Sequence, residues 1–281
     1  MEQPLLSIVI ANYNYGHYLE DAILSILSQG VSDSIELIVC DGGSTDNSVD
    51  IIKKYENNIS WWCCEKDSGQ SDAFNKGFSH ARGRFGCWLN ADDLFVDGAL
   101  KAVIKFIKRH SRAEWIAGSS IFVDQKLKVK WCSCGVSTPS IGCKWLPYYA
   151  VNGPSSFFLI SNLKKVGGFD VSLRYTMDTD LWRRFVRCGI RLYHMKKYVW
   201  CFRIHDMSKT SHKFMTGRRT SSFSSEGRQM NLRYGITPRR AKIASLLNRV
   251  FRLLLGAYLI SFIDTFKYMG QSIADVDFGE H

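Results

Sequence analysis

Leu5-Leu-Ser-Ile-Val-Ile-Ala-Asn-Tyr-Asn14 decides the reading of the first half. Its apolar run is short, rich in Ile and Val, and ends in a polar triplet. That is the pattern of a buried strand whose end faces a loop. Downstream, Leu19, Ala22, Ile23, Ile26 and Leu27 recur at helical spacing, and the helix stops at Gly30. Ile35 to Cys40 is a second buried strand, followed by the turn Asp41-Gly-Gly-Ser-Thr-Asp46 and a helix to about Tyr55. Ile59 to Cys64 and Phe85 to Asn90 continue the strands; Ser71 to His80 and Ala99 to Arg109 continue the helices. Strands alternating with helices imply right-handed crossovers and an α/β fold with a mostly parallel central sheet.

Ligands of such sheets bind at the carboxyl ends of the strands. Polar residues collect there: Asn12-Tyr13-Asn14, Asp41, Asp67, and Asp92-Asp93 after strands one to four. Carboxylates in that position suit Mg²⁺ or Mn²⁺, which take oxygen ligands and bridge protein acids to substrate phosphates. No Gly-x-Gly-x-x-Gly follows the first strand, which excludes the dinucleotide fingerprint, and no phosphate-cradling Gly-x-x-x-x-Gly-Lys-Ser/Thr loop is present. Simpler roles compete at some positions. Ser44 to Asp46 suit a helix cap, as does Asp180. Trp61, Trp62, Trp88 and Trp182 suit a core. Trp145 with Pro147-Tyr-Tyr149 suits an acceptor groove.

Taken in order, Ser7-Ile-Val-Ile-Ala-Asn-Tyr-Asn14, Asp41-Gly-Gly-Ser-Thr-Asp46, Asp67-Ser-Gly-Gln-Ser-Asp72-Ala-Phe-Asn-Lys-Gly77 and Asn90-Ala-Asp-Asp93 resemble the family 2 glycosyltransferases of GT-A fold. Met177-Asp-Thr-Asp-Leu-Trp182 and Phe202-Arg-Ile-His205 resemble that family's later motifs, so the likeness covers residues 5 to 210. It implies a Rossmann-like GT-A domain over residues 1–210 and an inverting transfer from a nucleoside-diphosphate sugar, UDP-linked, to a glycan or lipid-linked glycan. The bacterial enzymes of O-antigen, capsule and exopolysaccharide synthesis are the nearest in pattern. By the resemblance, Tyr13, Asp41 and Asp67 hold the nucleoside, and Asp72 and Lys76 meet sugar or diphosphate. Asp92, Asp93 and His205 meet the divalent metal, Asp92 also reaching the ribose, and Asp178 is the catalytic base. Asn90 stands where the family's motif usually starts with an acid. On this reading Asp41, Asp92 and Asp178 converge on one cleft.

The second half reads as strands at Trp115 to Val123, Lys128 to Cys132, Ser156 to Ile160 and Tyr198 to Ile204, with a short helix from Asp180 to Cys188. Residues 211–281 form a basic, helical extension, with an apolar helix from Ser245 to Ile263 that Arg249 and Arg252 interrupt. Those charges suit an interfacial helix better than a transmembrane span. Between Ser208 and Arg252 stand eleven Lys and Arg and one acid, Glu226, so most of the net charge of +11 sits there. Such a tail suits an anionic surface, whether membrane lipid, nucleic acid or pyrophosphate, or else is merely a solvated face; peripheral contact with anionic membrane is the expectation taken forward. Nucleic acid is not expected as a partner, because no zinc-finger spacing or RNA-binding motif accompanies the charge. A silent sugar-nucleotide scaffold is the remaining alternative, and it requires the acids to be idle. The nine cysteines show no metal-ligand spacing and read as small core residues in a reducing compartment. The start Met1-Glu2-Gln3-Pro4 has no basic stretch, so a cytoplasmic protein, peripheral on the inner face of the plasma membrane, is expected.

Overall fold

A computed structural model of the chain describes residues 3–136, 151, 153–208 and 220–279. Trp145, Pro147, Tyr148 and Tyr149, the expected acceptor-groove aromatics, lie outside the described residues, as do Cys143 and the basic residues Lys209, Lys213, Arg218 and Arg219.

Buried apolar runs give the strands β1 (Leu6–Asn12), β2 (Ile35–Asp41), β3 (Trp61–Cys64) and β4 (Phe85–Asn90). These pair in parallel in the order β3-β2-β1-β4. The helices between them are α1 (Gly16–Leu27), α2 (Ser48–Lys54) and α3 (Gln70–His80). After β3 the chain crosses to the far side of β1, so the direction of strand addition reverses between β1 and β4. Such a reversal opens a crevice above the carboxyl ends of those two strands.

Beyond β4 the sheet is mixed. It continues through β5 (Leu94–Phe95), α4 (Ala99–Arg109), β6 (Trp115–Val123), β7 (Val129–Ser133), β8 (Ser156–Leu159) and β9 (Leu192–Arg203). Strand β8 lies antiparallel between β4 and β6, whereas β9 runs parallel to β6. Short α5 (Ile160–Lys165) and α6 (Met177–Arg187) fill the connection from β8 to β9. The parallel arrangement expected from strand–helix alternation holds for the first four strands, where each crossover contains a helix. The later strands lack that alternation and mix.

Alternate side chains of β1 feed two cores, as the two-residue period of a strand requires. Leu6, Ile8 and Ile10 join the layer containing Leu19, Ile23 and Val103. Val9 joins the opposite layer with Phe74, Trp88 and Trp182. Trp88 stacks on Trp182 at 5.5 Å and Trp182 on Trp115 at 4.8 Å, so the tryptophans build the core, as their apolar area favours. Cys40, Cys87, Cys132, Cys134 and Cys201 are buried, and all cysteines among the described residues are free thiols.

Three helices close the chain: α7 (Ser221–Arg233), α8 (Pro238–Leu254) and α9 (Ala257–Tyr268). The single apolar helix expected from Ser245 to Ile263 is therefore two. Gly256 takes φ 72°, a left-handed conformation open to glycine, and the axes on either side differ by 67°. Helix α8 also starts seven residues before Ser245, at a Thr237 cap followed by Pro238. Helix α9 packs on β7: Thr265 Oγ1 and Ser261 Oγ accept from the backbone N–H groups of Cys132 and Cys134, and Tyr198 Oη donates to Asp264.

Candidate active site

The end of β1 is fastened to the turn after β2. Asn12 and Asp41 are register partners, and Asn12 Nδ2 donates to Asp41 Oδ2 at 2.6 Å. Asp41 also accepts from Gly43 N, Ser44 N, Ser44 Oγ and Cys64 Sγ. Its side chain is 1% exposed. A carboxylate so fully supplied with donors from its own chain folds the turn. This corrects the expectation that Asp41 reaches a cleft shared with Asp92 and Asp178. Asn14 takes φ 56°, which Asn tolerates better than most residues, and its side-chain oxygen accepts from Thr45 N. Held between these anchors, Tyr13 projects into solvent, 58% exposed.

A cleft of about 1070 Å³ opens above β1 and β4. Tyr13, Asp67, Asn90, Asp92 and Asp178 all line it, with Trp88 and Trp182 among its walls. A second cavity of about 490 Å³ shares Tyr13 and Asp67 and is walled by Gly42, Gly43 and Lys66. The larger volume reaches the top of the usual range for ligand sites, roughly 300–1,000 Å³.

Asp92 and Asp93 occupy the tight link from β4 to β5, and their side chains part company. Asp92 stays at the cleft, its Oδ2 2.9 Å from His205 Nε2. His205 is buried and packs against Tyr18 at 4.8 Å and Tyr15 at 5.7 Å. Asp93 turns inward and is fully buried, accepting from Asn90 Nδ2 and from the backbone N–H of Arg203. Burial, reinforced by the neighbouring Asp92 charge, pushes its carboxyl well above the usual range. Of the two acids expected at a metal, only Asp92 lines the cleft; Asp93 fastens the link to β9. His205 touches Asp92 rather than standing as a separate cleft residue.

Two further expected site residues have partners that sequence order hides. Lys76 pairs with Glu65 at 2.7 Å and is not on the cleft wall. Asp72 accepts from Ser68 N at the start of α3, also away from the wall.

Asp178 lies in the first turn of α6 and lines the cleft. It accepts from Thr179 N and Thr179 Oγ1, yet burial still raises its pKa above the ordinary 3.8. Gly153 explains how the wall comes this close. A Cβ there would stand 2.8 Å from Trp88 Cζ2 and 3.4 Å from Asp178 Oδ2. Asp180, two residues on, points elsewhere and is not a cap. It accepts from Arg184 Nε within α6 and from Tyr234 Oη after α7.

The far wall was missed by sequence reasoning. Thr220, Phe223, Ser224, Arg228 and Asn231, on or beside α7, line the cleft together with Ser245 and Arg249 of α8. Helix α7 is held in place by Glu226, whose carboxylate accepts from Arg174 N, Tyr175 N, Thr176 N and Thr176 Oγ1. Two signals pointed there: Thr220, a residue type that caps helices and here accepts from Phe223 N, and the isolated acid Glu226 in a basic segment.

The fit of this donor set to a metal is a separate matter. Among the described residues no cluster of three or more His, Cys, Asp or Glu is arranged to hold an ion by itself. A Mg²⁺-type ion needs no such cage, since it keeps waters and binds through one or two carboxylates plus substrate phosphates. Asp92, oriented by His205, meets that lesser requirement.

The description Glycosyl transferase family 2 matches residues 7–130, the stretch from β1 to β7 that carries Tyr13, Asp67 and Asp92. Over that stretch the chain is similar to the family 2 glycosyltransferases. An uncharacterized glycosyltransferase of Rickettsia typhi is 29% identical over 214 residues, covering 74% of this chain and 66% of the relative. The putative teichuronic acid biosynthesis glycosyltransferase TuaG of Bacillus subtilis is 24% identical over 231 residues, covering 78% and 86%. The chain thus spans just under two thirds of the length of the Rickettsia typhi relative. Among solved structures, S. aureus TarS in complex with UDP-GlcNAc superposes with a TM-score of 0.59 at 18% identity, covering 81% of this chain and 65% of TarS. The mannosyltransferase PcManGT of Pyrobaculum calidifontis, with GDP-Man and Mn²⁺, gives 0.57 at 15% identity, covering 88% and 74%. Both share the fold of this chain.

Proposed function

We propose that this chain transfers a sugar from a UDP-linked donor to an acceptor hydroxyl, with inversion, in the synthesis of a cell-surface polysaccharide. The observation that carries the proposal is the sorting of the acids. Asp178 is the only first-turn acid of α6 that meets the cleft, and the same cleft is lined by Asp92, Asp67 and Tyr13. Tyr13 offers an exposed ring face to a base, and Asp67 offers a carboxylate to a base N–H or ribose hydroxyl. Asp178, raised in pKa, is a better proton acceptor than a solvated aspartate. It takes the acceptor hydroxyl proton as that oxygen bonds to the anomeric carbon. The bond from that carbon to the diphosphate oxygen breaks, and its electron pair leaves with the nucleoside diphosphate. A single displacement on the face opposite the leaving group inverts the centre.

A divalent cation supplies charge neutralisation to a departing diphosphate. Asp92 would hold it, and His205 keeps Asp92 turned toward the cleft. The teichuronic acid role in the name of TuaG and the UDP-GlcNAc bound by TarS support the polysaccharide and UDP parts of the reading.

The deciding experiment compares the wild type with Asp178→Asn across UDP- and GDP-sugars, with Mg²⁺, with Mn²⁺ and with a chelator. The expected result is donor-dependent thermal stabilisation in both proteins and a turnover loss of about 10²–10⁴-fold in the variant, the usual worth of a general base. Near-normal turnover in Asp178→Asn would reject the base, and full activity in chelator would reject the cation.

A further inference from the structure

Helices α8 and α9 present their side chains the wrong way round for a water-facing surface. The side of α9 toward the sheet carries Ser261, Asp264 and Thr265, each hydrogen-bonded to the body of the protein. The outer side carries Leu259, Phe262, Ile263 and Phe266, with Phe262 70% and Phe266 79% exposed. Helix α8 repeats the arrangement. Ala244 and Asn248 are buried, while Ile243, Leu246, Val250 and Leu254 recur at three- and four-residue steps on the outside. A continuous apolar face of this extent on a soluble surface marks an interaction site.

Charge selects the occupant. Arg239, Arg240, Lys242 and Lys267 stand on the same two helices. Their only acid, Asp264, is held by Tyr198. A second copy of this chain would bring like charges together across the patch, in a protein of net charge +11. An anionic lipid surface satisfies the leucines and phenylalanines and the cations at once. Among the described residues no single helix is long and apolar enough to cross a bilayer; α8 and α9 reach that length only as a pair, bent by 67°.

We propose that the outer face of α8 and α9 lies in the headgroup layer of a membrane rich in anionic lipid, with Leu254, Leu259, Phe262 and Phe266 inserted and the arginines and lysines at the phosphates. The other face of α8 contributes Ala241, Ala244 and Ser245 to the cleft. Docking therefore sets the cleft mouth at the lipid surface, where a lipid-linked acceptor hydroxyl is within reach. The surface stands on its own geometry and does not require the sugar-transfer reading.

The full chain is sedimented with vesicles of phosphatidylcholine alone and with added phosphatidylglycerol, over a salt series. Two double variants accompany it: Phe262→Ser with Phe266→Ser, and Arg239→Gln with Arg240→Gln. All four positions are on the surface, and circular dichroism checks that each variant folds. The wild type is expected to bind anionic vesicles and to weaken, but not vanish, with salt. The serine pair is expected to bind about tenfold or more weakly at every salt, by loss of inserted apolar area. The glutamine pair is expected to lose binding at low salt only. Equal binding by the wild type and the serine pair would overturn the proposal. So would a failure of the wild type to bind, or a concentration-dependent dimer that the serine pair abolishes without any vesicle binding.

Discussion

Replacing Glu226 by alanine removes one carboxylate and orphans four donors at once. Three are the backbone N–H groups of Arg174, Tyr175 and Thr176, at 2.9, 2.8 and 2.8 Å, and the fourth is Thr176 Oγ1. A hydrogen bond to a charged group contributes about 1.5–3 kcal/mol, and such values do not add when the bonds share an acceptor. Arg174 is exposed and can turn to water, whereas Thr176 is buried. The net cost is therefore about 3 kcal/mol, or roughly a hundredfold in the docking of α7 against the start of α6. Glu226→Gln keeps one oxygen and should lose about half as much. The assay is amide exchange over residues 174–179 together with steady-state kinetics. Faster exchange and a fall in kcat are expected, and donor KM should rise as well, because Arg174 and Tyr175 line the same cavity as Tyr13 and Asp67. Acid should mimic the substitution. The Glu226 carboxyl lies below its ordinary 4.5, held down by the backbone donors despite opposing burial. Its contribution is complete above pH 4.5 and is lost as pH falls through the lower folded value. Protection and kcat within twofold of the wild type in Glu226→Ala would refute the latch.

Two further outcomes follow from the wall around Asp178. Gly153→Ala should cost about 1–3 kcal/mol, since the new methyl meets a Trp88 locked in a tryptophan stack, and should depress kcat; thermal unfolding and turnover read the two effects. Because burial raises the Asp178 pKa, the acid limb of the rate profile should lie above 3.8. Stability should move oppositely, falling as pH rises from 3.8 through the folded value, because the ionised form is the disfavoured one. A rate limb at 3.8, or one that survives in Asp178→Asn, would assign that limb to another group.

The strands and helices up to residue 123 were legible because their signals are local. An apolar run, a three- and four-residue period or a glycine stop lies within a dozen residues. Which of the candidate site residues line the cleft was not legible. Tyr13, Asp67, Asp92 and Asp178 line it, whereas Asp41, Asp72, Lys76 and Asp93 stand off its wall, held by donors or charges of their own chain. Nothing in the order of residues states that Asn90 will hold Asp93 rather than leave it for a ligand. The start of α6 was placed three residues late for a related reason. The segment leading into it, residues 174–176, is held by Glu226, some fifty residues away, and sequence patterns register caps supplied from nearby.

The cleft draws one wall from the first hundred residues and the other from beyond residue 220. Among the described residues the two walls are joined by no strand pairing, and Glu226 is the side chain that ties α7 to the segment ahead of α6. The width of the cleft is therefore set by how those later helices seat, and a shift of α7 would widen the mouth while leaving the sheet intact.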